Sequence, residues 1–305
     1  MLLIGTLIYQ DGPVEEAVKA REARLIQALA RKQVQAGAQM LELDLGPTRR
    51  GLGQTLSWLV RAVQEVVDLP LAIRTADAEA LRRVLPEVKG RTLVDAAAPA
   101  VEDWQAFVGA AGAHKARIAL ASCLRGLPTP IEERLALATD KLIPAALEAG
   151  IEVNDLYVDP FIAALNCDQP QSPVTVEALR LLKVAAEIVP NTLVHLQDIS
   201  DGAQPVEARG VINQVYLSML MGAGLDAVVA DLTDIRLQET VRLIRERDGS
   251  TPSARLLLRM HDSAGAGMEI DPAVVDLENP DLGRLYRTWQ VLQNQVIYAD
   301  GLLGG

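Results

Sequence analysis

The stretch NDLYVDPFIAAL (residues 154–165) holds a short run of strand-forming residues that ends on an acid, Asp159, and is followed at once by a proline. Because proline has no backbone N–H to donate, it commonly marks the end of a strand. Short apolar or β-branched runs of this kind recur along the chain. The eight runs are LLIGTLI (2–8), MLELDL (40–45), PLAIRT (70–75), TLVDA (92–96), ARIALA (116–121), LYVDPF (156–161), TLVHLQDI (192–199) and LDAVVADL (225–232).

Most of the segments between these runs repeat apolar residues at helical spacing. Residues 14–37, for example, keep this spacing until the segment ends on Gly37, a common helix stop. Strands that alternate with helices are typical of parallel sheets, and eight such units predict one (β/α)8 TIM barrel domain over residues 1–305. The alternative is an open doubly wound sheet, which is disfavoured because no GxGxxG turn follows the first strand.

One segment departs from this alternation. Residues 245–281 are polar, rich in glycine and proline, and without a steady period. We interpret this segment as an inserted loop or lid, which precedes a last helix over residues 281–303.

The composition excludes several classes of protein. The 305 residues include 40 acidic and 29 basic side chains, a formal net charge of −11, which argues against nucleic acid or an anionic membrane as a partner. No run of 18 apolar residues predicts a transmembrane helix. The two cysteines, Cys123 and Cys167, lie far apart and fit a reducing compartment, so we expect a cytoplasmic protein.

Charged residues stand at the ends of most of the predicted strands. Barrel active sites form where these ends meet. A single acid there is often only the N-cap of the next helix, but six acids on five strands predict a pocket rich in hydrogen-bond acceptors, suited to a ligand with several N–H groups. The residues are Glu42, Asp44, Arg74, Asp95, Asp159, Asp198 and Asp231.

The three histidines do not have metal-ligand spacing. His114, His195 and His261 are far apart in the chain. We interpret His195, within the seventh predicted strand, as a packed or rim residue rather than a base, and we predict no metal site.

Several segments together resemble a known family. They are LYVDPFI (156–162), GVINQVYLSMLMGAGLDAVVADLTD (210–234) and WQVLQNQVIYADGLL (289–303), with MLELDLGP (40–47) and SWLVRAVQEVVDLPLAI (57–73) fitting the same pattern. These segments resemble the methyltetrahydrofolate:corrinoid protein methyltransferases, which are grouped with dihydropteroate synthase among the pterin-binding barrels. The resemblance covers most of the chain except residues 245–281.

The resemblance implies a fold, a reaction and partners. In this family a (β/α)8 barrel binds the pterin ring of methyltetrahydrofolate at its C-terminal mouth. A methyl group passes from N5 of the pterin to the cob(I)amide of a separate corrinoid protein, so the corrinoid belongs to the partner and not to this chain. Members usually form homodimers.

The resemblance also implies roles for individual residues. Asp159 matches a pterin-binding aspartate in a preserved YxDP context, and Arg209 and Asn213 match an arginine and an asparagine after the seventh strand. Asp95 stands where the family has a pterin-binding asparagine. Asp198 replaces the asparagine that hydrogen-bonds N5, and we predict that it is the catalytic residue.

Arg74 is the largest departure from the family pattern. It stands where a pterin-binding aspartate is expected, and a guanidinium has only donors to offer to a pterin edge that presents N–H groups. We place Arg74 and Asp44 in the predicted pterin site, where Arg74 could pair with Asp95 or Asp159.

Two alternatives to methyl transfer stay open at this point. The chain could be a divergent relative that no longer uses methyltetrahydrofolate and acts as a binding or partner subunit. It could also act on a different small ligand, with Arg74 as the anchor for an anion. Dihydropteroate synthesis is disfavoured because no pyrophosphate-binding loop or pterin-site lysine is recognisable.

Overall fold

The eight predicted runs form eight parallel strands of a closed barrel in the computed structural model, which describes residues 1–8, 12–46, 51–96, 104–123, 127, 129–184 and 187–303. Each strand pairs with the next along the chain, and the last pairs with the first. The (β/α)8 fold is therefore confirmed. The strands are β1 (Leu2–Ile8), β2 (Met40–Asp44), β3 (Leu71–Thr75), β4 (Leu93–Ala96), β5 (Arg117–Ala121), β6 (Leu156–Asp159), β7 (Asn191–His195) and β8 (Ala227–Ala230).

The helices lie between and after the strands. They are α1 (Gly12–Ala20), α2 (Ala23–Gln35), α3 (Leu52–Gln64), α4 (Ala78–Val84), α5 (Trp104–Ala113), α6 (Ile131–Leu137), α7 (Ile143–Glu148), α8 (Leu165–Asp168), α9 (Gln171–Val184), α10 (Ala208–Gly222), α11 (Ile235–Glu246), α12 (Pro252–Ala266) and α13 (Pro280–Leu292). A 3₁₀ turn, Leu196–Ser200, directly follows β7. No helix among the described residues is long and apolar enough to cross a membrane.

Two apolar clusters hold the barrel together. The larger one lies between the strands and the surrounding helices and includes the fully buried Leu41, Leu56 and Leu217. The smaller one fills the inside of the barrel with residues from all eight strands. Burial of apolar surface in the two clusters, at about 25 cal/mol per Å², is the main force that holds the fold.

Residues 245–281 differ from the predicted irregular lid, because 252–266 form the regular helix α12. The Thr251 side chain caps this helix by accepting a hydrogen bond from the Ala254 N–H at 3.1 Å, with Pro252 in the first turn. Gly267, at φ 65°, ends it in the left-handed conformation that glycine tolerates. The helix packs against α10, α11 and α13. That the segment is an insertion relative to the family stays a prediction.

Candidate active site at the mouth of the barrel

The inner face of the barrel changes from apolar to polar within two residues. The apolar layer consists of Ile4, Met40, Ala72, Leu93, Ala119, Tyr157, Leu193, Ala227 and Val229. Since strand side chains alternate between the two faces, a residue two positions further along faces the same way. Five strands carry a polar residue there, one step nearer the mouth, and a sixth carries Thr6. The five are Glu42, Arg74, Asp95, Asp159 and His195.

His195 lies at the centre of this polar layer, among three carboxylates. Its Nε2 is 3.0 Å from Glu42 Oε1 and 2.9 Å from Asp95 Oδ2, while its Nδ1 is 3.5 Å from Asp159 Oδ2. Glu42, Asp95 and His195 are all buried. One imidazole therefore links carboxylates from β2, β4 and β6.

Burial and mutual attraction shift the pKa values in opposite directions within this group. Burial and Arg74 lower the pKa of His195, but Asp95, Glu42 and Asp159 outweigh them and leave it well above its usual value. Burial raises the pKa of Glu42. For Asp95, burial also acts to raise the pKa, yet His195 and Arg74 outweigh it, so the pKa is lowered. The group thus favours an imidazolium among carboxylates when no other cation is present.

The turn that follows β6 holds the Asp159 carboxylate in position against His195. Asp159 Oδ1 accepts a hydrogen bond from the Phe161 N–H at 2.7 Å, and Phe161 takes a positive φ of 66°, which is rare for a bulky side chain. The buried Arg134 guanidinium donates to the carbonyl oxygens of both Pro160 and Phe161. The strand stops abruptly after Asp159 because the next two residues form this braced turn.

A cavity of about 380 Å³ opens above the polar layer. Its volume lies in the range of roughly 300–1,000 Å³ that is typical of ligand sites. Its walls are Thr6, Glu42, Asp44, Arg74, His195, Gln197, Asp198, Ser200, Asp201, Arg209, Asn213 and Val229.

One ion pair and one unpartnered atom in this cavity bear on what it can bind. Arg74 Nε lies 3.4 Å from Asp44 Oδ2, so the arginine is already partnered by a carboxylate. Asn213, on α10, is 6% exposed, and its Oδ1 is buried without a hydrogen-bond partner. A buried acceptor without a partner costs free energy that a ligand N–H could recover.

Asp198 enters the cavity from the 3₁₀ turn after β7. It is partly shielded from solvent, and burial raises its pKa, against the opposing effects of His195 and Arg74. A carboxyl with a raised pKa stays neutral to higher pH and can then donate a proton or a hydrogen bond.

Sequence comparison finds a similar protein of known function. The chain is 26% identical over 253 residues to the methylcorrinoid:tetrahydrofolate methyltransferase of Eubacterium limosum, an alignment that covers 76% of this chain and 86% of the relative. The resemblance to these methyltransferases is confirmed.

A structural comparison gives the same fold. A crystal structure of dihydropteroate synthetase with a product superposes with a TM-score of 0.60 at 15% identity, covering 81% of this chain and 94% of that chain. At this identity the match shows the (β/α)8 barrel fold and no more. No protein-family model matches the chain.

The structure brings together most of the residues predicted for the site. Asp44, Arg74, Asp198, Arg209 and Asn213 all line the cavity. Arg74 pairs with Asp44, which was not among the predicted partners.

Asp95 and Asp159 are not among the residues of the cavity wall. Both face His195 instead. Asp231 was predicted to face the same pocket, but it is exposed and absent from the cavity wall. Its Oδ1 accepts hydrogen bonds from Gln33 on α2, at 2.7 Å, and from Thr233.

The interpretation of His195 as a packed or rim residue missed its contacts with three carboxylates. The two-residue spacing was the available signal. In TLVHLQDI, His195 follows the apolar Leu193 by two positions, as Asp95 follows Leu93 and Asp159 follows Tyr157.

Proposed function

We propose that this protein transfers a methyl group between N5 of tetrahydrofolate and the cobalt of a corrinoid that a separate protein carries. The observation that supports this most is Asn213 Oδ1, a buried acceptor without a partner in a carboxylate-lined cavity. The sequence similarity to an enzyme whose name contains both substrates, methylcorrinoid and tetrahydrofolate, supports the same reaction.

The walls of the cavity suit the two edges of a pterin ring. The amino-pyrimidine edge presents N–H donors, which match the acceptor oxygens of Asn213 and Asp44. The ring also carries a carbonyl oxygen, which matches the donors of Arg74. An arginine in this position is therefore compatible with a pterin, provided that the ring places its carbonyl rather than its amino group against it. Arg209 lines the same cavity and completes the proposed pterin site.

Asp95 and Asp159 support the site from below. Each contacts His195, which itself lines the cavity. The two carboxylates thus hold the imidazole of His195 in position and set the charge at the floor of the cavity.

The reaction requires a proton at N5. When the methyl group leaves N5 for cobalt, the electrons of the C–N bond stay on nitrogen, which takes up a proton. In the reverse direction, N5 loses its proton as the new bond to carbon forms. Asp198, with its raised pKa, is the proposed donor and acceptor, either directly or by a hydrogen bond that strengthens as charge develops.

The partner must approach the mouth of the barrel, since the methyl group travels from one reactant to the other there. The corrinoid is a substrate carried by that partner. We also propose a homodimer, an assignment that rests on the resemblance alone and that light scattering after gel filtration would test. A cytoplasmic location is proposed from the two separated cysteines, Cys123 and Cys167.

The alternative of an anionic ligand anchored by Arg74 has less support. The cavity wall carries the acids Glu42, Asp44, Asp198 and Asp201 against two arginines, and one of these, Arg74, is paired with Asp44. An added anion would therefore have to displace Asp44 from this guanidinium.

The test is to mix the protein with methyltetrahydrofolate and a corrinoid protein reduced to cob(I)amide, and to follow the corrinoid absorbance. Consumption of cob(I)amide that depends on both the protein and the folate is expected. Asp231→Asn, which removes a strand-end acid outside the cavity, is the matched control and should retain the rate. Failure to consume cob(I)amide with every cognate corrinoid protein, or to bind folate, would contradict the proposal.

A further inference from the structure

We propose that Glu42, Asp95 and His195 form a binding site for a divalent transition-metal ion at the floor of the cavity. One possible ligand atom from each residue lies within 4.8 Å of the others, and all three residues are buried. The residues come from β2, β4 and β7, so the rigid barrel and not a loop holds them in place.

The hydrogen bonds of this group leave one buried carboxylate oxygen without a donor. Nε2 of His195 can carry one hydrogen, yet two carboxylate oxygens lie within 3.0 Å of it. Asp95, which is 4% exposed, has its Oδ2 buried with no hydrogen-bond partner, although that oxygen is 2.9 Å from Nε2. A buried carboxylate oxygen in this state is costly unless a cation joins it.

A second carboxylate orients the imidazole for metal binding. Nδ1 of His195 faces Asp159 Oδ2 at 3.5 Å. With the proton on Nδ1, the lone pair of Nε2 points to Glu42 and Asp95. Metal-binding histidines almost always have a carboxylate or carbonyl at the other ring nitrogen, since this fixes the tautomer and raises the basicity of the ligand atom.

The other supporting contacts follow the same pattern. Glu42 Oε2 accepts a hydrogen bond from Thr6 Oγ1 at 3.4 Å, which leaves Oε1 toward the site. Asp159 is itself held by the Phe161 N–H.

The distances between the ligand atoms and the types of ligand limit which metal ions the site can bind. Ligand atoms 2.9 and 3.0 Å apart suit an ion roughly 2.1 Å from each, at a bond angle of roughly 90°. One imidazole nitrogen and two carboxylate oxygens favour Zn²⁺, Mn²⁺, Fe²⁺ or Co²⁺ over Mg²⁺ and Ca²⁺, which prefer oxygen alone, and over Cu⁺, which prefers sulfur. The two carboxylates would neutralise the charge of the ion beside the guanidinium of Arg74.

The proposed metal site does not depend on the proposed methyl transfer, because the ion is measured without folate or corrinoid. The full-length protein is stripped with a chelator, dialysed and titrated calorimetrically with Zn²⁺, and retained metal is counted by mass spectrometry. Co²⁺ serves as a second probe through its visible absorption bands. We expect one ion per chain.

The variants identify the ligands. The double variant Glu42→Gln/Asp95→Asn keeps the shape of both side chains and removes both carboxylate ligands, and thermal unfolding without metal checks that it is folded. His195→Gln removes the nitrogen ligand, and His261→Gln, at an exposed histidine–aspartate pair on α12, is its matched control. Asp159→Asn should weaken binding by roughly 10–100-fold, and the ligand variants should weaken it further.

Two results would overturn the proposal. One is a parent protein that retains no ion and shows no saturable binding of Zn²⁺ or Co²⁺, which would mean that protons alone hold the cluster together. The other is a double variant that binds the ion as tightly as the parent, which would place the ion elsewhere on the chain.

Discussion

Two side chains in the cavity, Asp198 and Asn213, differ in how they should respond to solution conditions. Asp198 titrates, with a pKa raised chiefly by burial. Asn213 does not titrate, and its buried Oδ1 is the acceptor left for a ligand. Substitution at the two positions therefore separates a pH-dependent contact from a constant one.

Asp198→Asn should abolish the pH dependence of folate binding. A neutral Asp198 can donate to N5 and an ionised one cannot, so binding to the parent protein strengthens as pH falls through the raised pKa and weakens above it. The amide of the variant donates at every pH. Calorimetric titration with methyltetrahydrofolate at pH 5.5 and 7.5 measures the difference. If the variant keeps the full pH dependence of the parent, a group other than Asp198 causes that dependence.

Asn213→Ala should weaken folate binding by roughly tenfold, equivalent to about 1.4 kcal/mol, because the ligand loses one buried acceptor. The stability of the free protein should change little for the loss of that oxygen, since Oδ1 has no partner to lose. Gln214→Ala on the same helix is the control: its side chain donates to Thr240 Oγ1 at 3.2 Å, away from the cavity. Equal losses of affinity in both variants would show a general effect on α10.

Residue spacing accounts for which parts of the site were predictable. The acids of the site were predictable because each one stands at the end of an apolar run that predicts a strand. This pattern could not separate Asp95, directed at His195, from Asp44, directed at the cavity, since that difference arises from strand register around the closed barrel. The unpaired state of Asn213 likewise depends on packing between α10 and the barrel, which no local pattern encodes.

The turn between β6 and α8 depends on an arginine from α6. Arg134 is 1% exposed and donates hydrogen bonds to five neutral oxygens, on Thr129, Pro160, Phe161, Gln171 and Thr175. These bonds brace the positive φ of Phe161 and so the position of Asp159.

Arg134→Met should lower the free energy of unfolding by about 3–5 kcal/mol, because several buried carbonyl and side-chain oxygens lose their donor. The melting temperature should fall by roughly 5–10 °C. Arg180→Met is the comparison, since Arg180 pairs with Glu177 at the partly exposed surface of α9 and should cost about 1 kcal/mol or less. Thermal and urea unfolding measure both. Equal losses would contradict a bracing role.

Helices α10 and α12 approach each other through glycine. A Cβ added at Gly222 would lie 1.9 Å from the backbone oxygen of His261, a contact that only separation of the helices could relieve. Gly222→Ala should therefore destabilise the protein by about 1–3 kcal/mol. Gly109→Ala, on the exposed face of α5 with nothing within 4 Å, should instead stabilise by about 0.5–1 kcal/mol. Urea unfolding tests the pair, and a neutral Gly222→Ala would mean that α12 is loosely attached.

The glycines that let α12 pack closely are also the reason that the sequence did not predict this helix. Gly265 lies against the backbone of Gly222, while Thr251 and Pro252 are ordinary signals of a helix start. Composition alone favoured a loop for residues 245–281, and close packing of two helices reverses that preference.

At the scale of the whole molecule, the barrel follows from the eight strand runs and their alternation with helices, because neighbouring elements in the sequence are neighbours in space. Among the strands described, the closure of β8 onto β1 is the only pairing between strands that are not consecutive in the chain. The net charge of −11 and the carboxylates of the cavity bear on ligands and partners rather than on the fold.

The apolar layer inside the barrel has a kinetic consequence. It closes the interior directly beneath the polar residues, so a ligand cannot reach the cavity through the barrel and has to come from the mouth. A corrinoid protein bound over the mouth would then block the folate, and we expect a compulsory order in which folate binds first and leaves last. In steady-state assays, an unreactive corrinoid protein should then inhibit uncompetitively against folate. Mixed inhibition would show instead that either reactant can arrive first.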